Sequence, residues 1–239
     1  MTAFTAKRFY EEVSVRREGD GFVIALDERI AKTPGGHPLT VPYRGLADAI
    51  AGEWAAQEEE IRPPEMPLTQ LVATAMDRVA RERAAVIEGI VAYVGTDLLC
   101  YRADLPSELR QRQDTSWQPL LDWSAEILGA QLAVTTGIVA VDQLPDAFAG
   151  VRRTVETFDD LSLAALVSAT GACGSVILAL ALATGWIDAA AAFGLSHVDE
   201  IYQIERWGED EEAKARLGRV RADIEATAIV LGFRTADGA

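Results

Sequence analysis

The sequence is poor in the residues on which most catalytic chemistry draws. It holds two histidines, His37 and His197, and two cysteines, Cys100 and Cys173, in 239 residues. No C-x-x-C pair occurs, so a zinc site of ordinary spacing has no ligand set. Two thiols make no disulfide framework, and both sit in apolar strings, which fits a reducing compartment. G-x-x-x-x-G-K-[ST] is missing, G-x-G-x-x-G after a strand is missing, and so is G-x-S-x-G. A nucleotide cradle and a nucleophile elbow are therefore not in view. Cys100, His197 and Asp199 can be assembled on paper as nucleophile, base and orienter, but nothing in their spacing demands it. His197 opens a helix and reads as a surface or capping side chain.

Charge is also absent from one long stretch. Leu161–Gly185 runs 25 residues without Asp, Glu, Lys or Arg. About 20 apolar residues suffice to cross a bilayer. Gly171, Gly174 and Gly185, the hydroxyls of Ser162, Ser168, Thr170, Ser175 and Thr184, and the lack of a basic cluster at either end argue against a membrane span. The run reads instead as two helices, about 161–170 and 174–184, broken near Gly171, with Asp159 or Asp160 as N-cap, buried at the middle of a helical domain. The start of the chain has no apolar signal core and no long Arg-rich transit segment, which fits a cytoplasmic protein or a mature form already trimmed.

What is present is acid. There are 37 Asp and Glu against 22 Lys and Arg, for a net charge of −15. Residues 1–85 carry 11 basic and 14 acidic side chains, and residues 86–239 carry 11 and 23. Such a surface repels nucleic acid and anionic lipid. An apolar content of 49% supports a real core.

The first 43 residues alternate like strands. Phe9, Glu11, Val13 and Val15 share one face, Glu18–Gly21 is a turn, and Phe22–Leu26 is the return strand, making a hairpin over 11–26. Asp27-Glu28 turns the chain into Arg29–Thr33, and Leu39–Val41 is a fourth short strand. Helices are expected at 44–59 and 68–83, separated by the proline-rich 61–67. From 84 onward the pattern is helical: 84–94, a helix from Pro106 to Leu128 stopped by Gly129, 142–158, the apolar pair, 189–194, 198–206 and 209–231. Short extended pieces are expected at 131–134 and 137–141, and the tail Thr235–Ala239 is read as frayed. The expected fold class is α+β, with a small N-terminal antiparallel sheet domain over 1–83 and an all-α domain over 84–239.

Three clusters remain. In His197–Ala213, Asp199, Gln203 and Arg206 fall near one side of a helix. Trp207-Gly208 ends it, and Glu209–Glu212 crowd the next helix start, where acids complement the helix dipole. An aromatic beside an acidic rim is also typical of protein-binding patches. In the second cluster, Glu53, Trp54 and Gln57 precede a proline-stiffened turn. In the third, Asp97 and Arg102 inside an apolar run suggest a partly buried ion pair.

Seven strings occur in order: Lys7-Arg8-Phe9-Tyr10, Leu26-Asp27 with Lys32-Thr33-Pro34, Glu53-Trp54-x-x-Gln57, Met66-Pro67-Leu68-Thr69, Thr96–Ala103, Arg112-Gln113 with Trp117-x-Pro119–Trp123, and Asp199-Glu200-x-x-Gln203-x-x-x-Trp207-Gly208-Glu209-Asp210. Together they resemble the family of ATP synthase F1-complex assembly factor 2, the chaperone of the F1-ATPase alpha subunit, from about residue 7 to 231. The resemblance implies a non-enzymatic binder of the unassembled alpha subunit; with it we expect a monomer, no cofactor or metal, no nucleic acid partner and no integral membrane segment. Eukaryotic members are mitochondrial; this chain reads as a bacterial, cytoplasmic homologue. Its expected partner surface comprises Trp207, Glu200, Glu205, Glu209, Asp210 and Gln203, with Trp54 and Gln57 supporting the domain joint. The rival expectation is an enzyme on a helical scaffold using Asp97, Asp199 and Glu200, with or without a divalent metal.

Overall fold

The structure, a computed structural model, describes residues 6–236. The chain is α+β and divides into two compact units. The first takes residues up to Arg83, Asp160–Ala165 and the chain from Ile229; the second takes Ala84–Asp159 and Leu166–Ala228.

In the first unit, β1 (Ala6–Lys7) is followed by the hairpin of β2 (Val13–Glu18) and β3 (Gly21–Leu26), registered from Val13↔Leu26 to Glu18↔Gly21. Gly19, at φ 59°, makes the two-residue turn that an L side chain resists. The strand starts at Val13, not Phe9, because the Asp27 carboxylate accepts from the Glu11 and Glu12 amides at 3.0 and 2.8 Å and ends the ladder there. β4 (Arg29–Ile30) and β5 (Thr40–Val41) both pair with β3, completing the four-stranded antiparallel sheet. β3 is therefore central, and Val23 to Leu26 are all buried. Helix α1 (Arg44–Ala55) covers the sheet with Leu46, Ala47 and Ile50.

α1 stops four residues before the expected Glu59, because the chain turns into β6 (Glu60–Ile61), which pairs with β1. Periodicity could not show this two-residue pairing. Helix α2 (Pro67–Thr74) runs through a π turn at Ala75–Val79 into α3 (Ala80–Ala92), which is kinked close to the boundary expected between 83 and 84. Glu82 leaves helical geometry at φ −121°.

The second unit is helical apart from β7 (Tyr101–Arg102) and β8 (Thr135–Thr136), a parallel pair. The strand falls on Thr135-Thr136, between the two pieces expected at 131–134 and 137–141. Helix α4 (Ser107–Trp123) extends through a π turn to Leu128 and ends at Gly129, φ 64°, as expected from its sequence. Trp117, Leu120, Leu121, Ser124 and Leu128 are all buried. α5 (Pro145–Val155) begins three residues later than expected, with proline in its first turn.

The charge-free run forms α6 (Asp160–Cys173) and α7 (Val176–Ala183). The break lies at Gly174, φ +63°, and not near Gly171, which is helical. Gly174 occupies the left-handed conformation, and Ser175 beside it caps α7 by accepting from Leu178 N at 3.1 Å. All eight residues of α7 are buried, so the run is core. Among the described residues no helix is long and apolar enough to cross a membrane. The chain continues with α8 (Ala189–Ser196), α9 (Val198–Trp207) and α10 (Glu211–Ala236), of which the second unit takes α8, α9 and α10 as far as Ala228. α10 runs to Ala236; the rest of the tail read as frayed lies outside the described residues.

Candidate partner-binding surface

Helix α9 ends at Trp207 because Gly208, φ 85°, takes a conformation only glycine holds easily. Asp210 then caps α10, its Oδ1 accepting from Ala213 N at 2.7 Å. The turn between them leaves a depression of about 190 Å³ lined by Glu200, Gln203, Trp207, Glu209, Asp210 and Arg216, among others. Trp207 stands 76% exposed at its edge. An indole that open gains nothing from the core, so its burial is available to a partner. Glu200 is held at 2.5 Å by Arg216, while its Oε2 is buried, lacks a hydrogen bond and lies 3.7 Å from His197 Nε2.

Five of the eight expected residues thus meet: Trp207, Glu200, Gln203, Glu209 and Asp210. Glu205 is set apart from the depression. Its carboxylate binds Arg112 at 2.8 Å, which holds it below the usual carboxylate range. Arg112 and Arg206 both lie over the Tyr202 ring, at 5.3 and 4.7 Å. Trp54 and Gln57 belong to the first unit. Gln57 is buried, accepting from Arg62 N at 2.7 Å and donating to Glu53 O at 3.2 Å. The Trp54 carbonyl accepts from Tyr10 Oη at 2.7 Å.

Two other expectations are corrected, and the apolar setting read for the cysteines holds. Asp97 and Arg102 form no ion pair. Arg102 turns to Asp114 at 2.8 Å and lies 5.0 Å over the Trp117 ring. Asp97, fully buried, accepts from Ser175 Oγ, Leu99 N and Ile177 N at 2.9, 3.0 and 3.2 Å. Burial pushes its carboxyl up to about 6 against those three donors, which pull it down. His197 is not a surface side chain: it is buried, and its ring stacks on Phe193 at 4.6 Å. Its Nδ1 lies 3.0 Å from Phe193 O and 2.9 Å from Ser196 Oγ. Cys100 and Cys173 are buried, and burial raises both thiols to about 12, far from a reactive thiolate.

The three carboxylates of the enzyme reading do not converge: Asp97 serves backbone donors, Glu200 serves Arg216, and Asp199 accepts from Gln113 Nε2 at 2.6 Å. Among the described residues no group of three His, Cys, Asp or Glu is placed to hold a metal.

The ordered strings of the sequence pair off inside each unit. Arg8 donates to Gln57 O, and Glu53 reaches across to cap α2, accepting from Leu68 N at 2.7 Å and Thr69 N at 2.8 Å. Asp77 accepts from Thr33 Oγ1 and Gly35 N, both at 2.7 Å. In the second unit Gln113 accepts from Ala103 N at 2.6 Å while donating to Asp199, and Trp117 Nε1 donates to Leu195 O at 2.8 Å. Sequence reasoning did not foresee these pairings, because each joins positions on different elements, 10 to 86 residues apart.

An α+β scaffold whose polar motifs are spent internally, with a bare indole over an acidic depression, has the form of a protein-binding module. Comparison with known proteins gives its family. The profile of the ATP12 chaperone protein family matches residues 7–125. The crystal structure of Atp12 from Paracoccus denitrificans is 42% identical, superposing over 95% of this chain and 97% of that one with a TM-score of 0.84. A candidate chaperone from Agrobacterium tumefaciens is also 42% identical, over 95% of this chain and 86% of that one, with a TM-score of 0.88. The mitochondrial Atp12 protein of Schizosaccharomyces pombe is 27% identical over 219 residues, 87% of this chain and 75% of that protein. The chain belongs to the ATP12 chaperone family.

Proposed function

We propose that this chaperone binds the unassembled alpha subunit of the F1-ATPase and holds it for assembly of ATP synthase, in the bacterial cytoplasm and without catalysis. An orphan subunit exposes the apolar flank meant for its neighbour, and such flanks aggregate. A chaperone that must later yield to the true neighbour is served by one aromatic anchor with a charged rim, where most binding energy sits in few residues. The observation that carries the reading is Trp207, 76% exposed beside Glu200, Gln203, Glu209 and Asp210. Glu205 contributes rim charge through Arg112, and Trp54 and Gln57 act by holding the first unit in shape.

The test is co-purification with alpha and beta subunits expressed separately. The wild type should recover alpha and leave beta. Trp207→Ala, with circular dichroism unchanged, should weaken capture about tenfold or more, as truncation of an anchor does. No recovery of alpha, or recovery indifferent to Trp207, would refute the assignment.

A further inference from the structure

The second unit carries another exposed surface of different chemistry. Segment 133–144 is pinned at its base by Gln143, whose amide accepts from Ala133 N at 2.7 Å and donates to Ala133 O at 2.9 Å. Within it β8 pairs with β7 alone among the described residues, in the register Tyr101↔Thr135 and Arg102↔Thr136. Gly137 N donates to Arg102 O at 2.8 Å. Residue 137 thus faces β7. By the alternation of a strand residue 135 does too, and the N–H and C=O of Thr136 point to the opposite, unpaired edge.

Past the strand the chain exposes Ile138 fully and Val139 to 70%, with Val134 at 43% and Leu144 at 64%. Because β7 and β8 are parallel, Leu105, 80% exposed, leaves the same end of the pair as Ile138. A cluster of large apolar side chains so exposed is uncommon on a soluble protein unless something covers it. The segment's own charge is acidic: residues 113–151 contain no Lys or Arg, and Asp142 and Asp146 lie in and just after 133–144, while Arg102 of β7 is paired with Asp114 at 2.8 Å.

We propose that the free edge of β8 is a docking site for an extended apolar segment of a client protein flanked by basic residues. The segment adds as a strand beside Thr136 and lays alternate side chains on Ile138 and Val139. The basic flanks answer Asp142 and Asp146 and set its position. The inference rests on the chaperone reading for its client, and adds to the Trp207 surface a second contact of different chemistry.

The probe is a fluorescein-labelled synthetic peptide of alternating valine and threonine with lysines at both ends, titrated into the full chain by anisotropy. Two variants are compared: Ile138→Ser with Val139→Ser, which removes the apolar contact, and Thr136→Pro, which removes the outward N–H while leaving the β7 side intact. The expected result is peptide binding by the wild type that weakens about tenfold or more in each variant of unchanged circular dichroism. Absence of binding by the wild type, or equal binding by the serine variant, overturns the proposal. Loss in the serine variant with full binding by a folded Thr136→Pro overturns strand addition. Equal binding of a glutamate-flanked peptide overturns the basic flank. Wild-type self-association in sedimentation, abolished by the serine variant, would make a second copy the occupant and overturn it also. Alpha-subunit capture measured in parallel separates the two readings: peptide bound without capture removes the proposed client and leaves this edge standing.

Discussion

Replacing Asp97 by asparagine tests the polar node on which α7 is seated. Asp97 is fully buried, and its carboxyl is raised from 3.8 to about 6 because burial outweighs the hydrogen bonds from Ser175 and the backbone of Leu99, Ile177 and Val176. The folded protein therefore holds a proton between those values that the unfolded chain releases. Stability from this group is fully present below the unfolded value and is lost as pH rises through about 6. The full cost of ionisation is about 3 kcal/mol at 1.36 kcal/mol per unit. Between pH 5 and 7.5 the loss is on the order of 1 kcal/mol. Asparagine fills the same volume and sheds the buried charge, but its amide faces the donors Ser175 Oγ and Ile177 N. A donor turned on a donor costs about 1–3 kcal/mol, so at pH 7.5 the two effects nearly cancel. The trend with pH is the discriminating quantity. Urea unfolding of both proteins at pH 5 and 7.5 should show Asp97→Asn losing on the order of 1 kcal/mol more, relative to wild type, at the lower pH. A gap that stays flat, or narrows as pH falls, refutes the assignment of the buried proton to Asp97.

Three smaller perturbations follow from the same packing. A Cβ on Gly150 would lie 2.6 Å from Leu128 O and 2.9 Å from Gly129 O, both backbone atoms, so Gly150→Ala should cost about 1–3 kcal/mol in thermal or urea unfolding. Gly89, helical and exposed with nothing within 4 Å of its added Cβ, should do the reverse: Gly89→Ala should stabilise by about 0.5–1 kcal/mol. Gln113→Leu strands Ala103 N and removes the donor to Asp199, and should cost about 2–4 kcal/mol, measured by the shift in urea midpoint.

The helices were legible where one face is apolar for several turns. The α4 pattern of Trp117, Leu120, Leu121, Ser124 and Leu128 was fully buried as spacing implied, and Gly129 ended the helix as its position implied. Turns with special backbone demands, at Gly19 and at Asp27-Glu28, were equally plain. Two-residue pairings were not. β1 with β6 and β7 with β8 are held by partners more than thirty residues away, and no period exists in two residues. The break in the apolar run was misplaced for a related reason. Both Gly171 and Gly174 permit it, and the choice is made by Asp97, which accepts from Ser175 and Ile177 just past Gly174. For the same reason Asp97 is drawn away from Arg102, the partner that adjacency suggested.

The site divides along the same line. Residues of the strings that marked the family are spent within the fold, Glu53 on Thr69, Gln57 on Arg62 N and Gln113 on Asp199, each in a part-buried hydrogen bond. Such residues are fixed by geometry, which is why they could be read in order along the chain. A docking surface is under no such constraint: Trp207 costs the fold nothing where it stands, and Ile138 and Val139 belong to no periodic element. Hence α9 could be drawn as a helix with Asp199 and Gln203 on one side, while only the structure separated Asp199, tied to Gln113, from Gln203, open on the depression beside Trp207. The division makes a claim of its own. Variants at Gln57 or Gln113 should lower stability and client capture together, whereas Trp207→Ala should leave the unfolding midpoint within about 0.5 kcal/mol of wild type and lower capture alone. If capture and stability fall in proportion at Trp207 as well, that indole is part of the fold's support, and the partner surface lies elsewhere on the molecule.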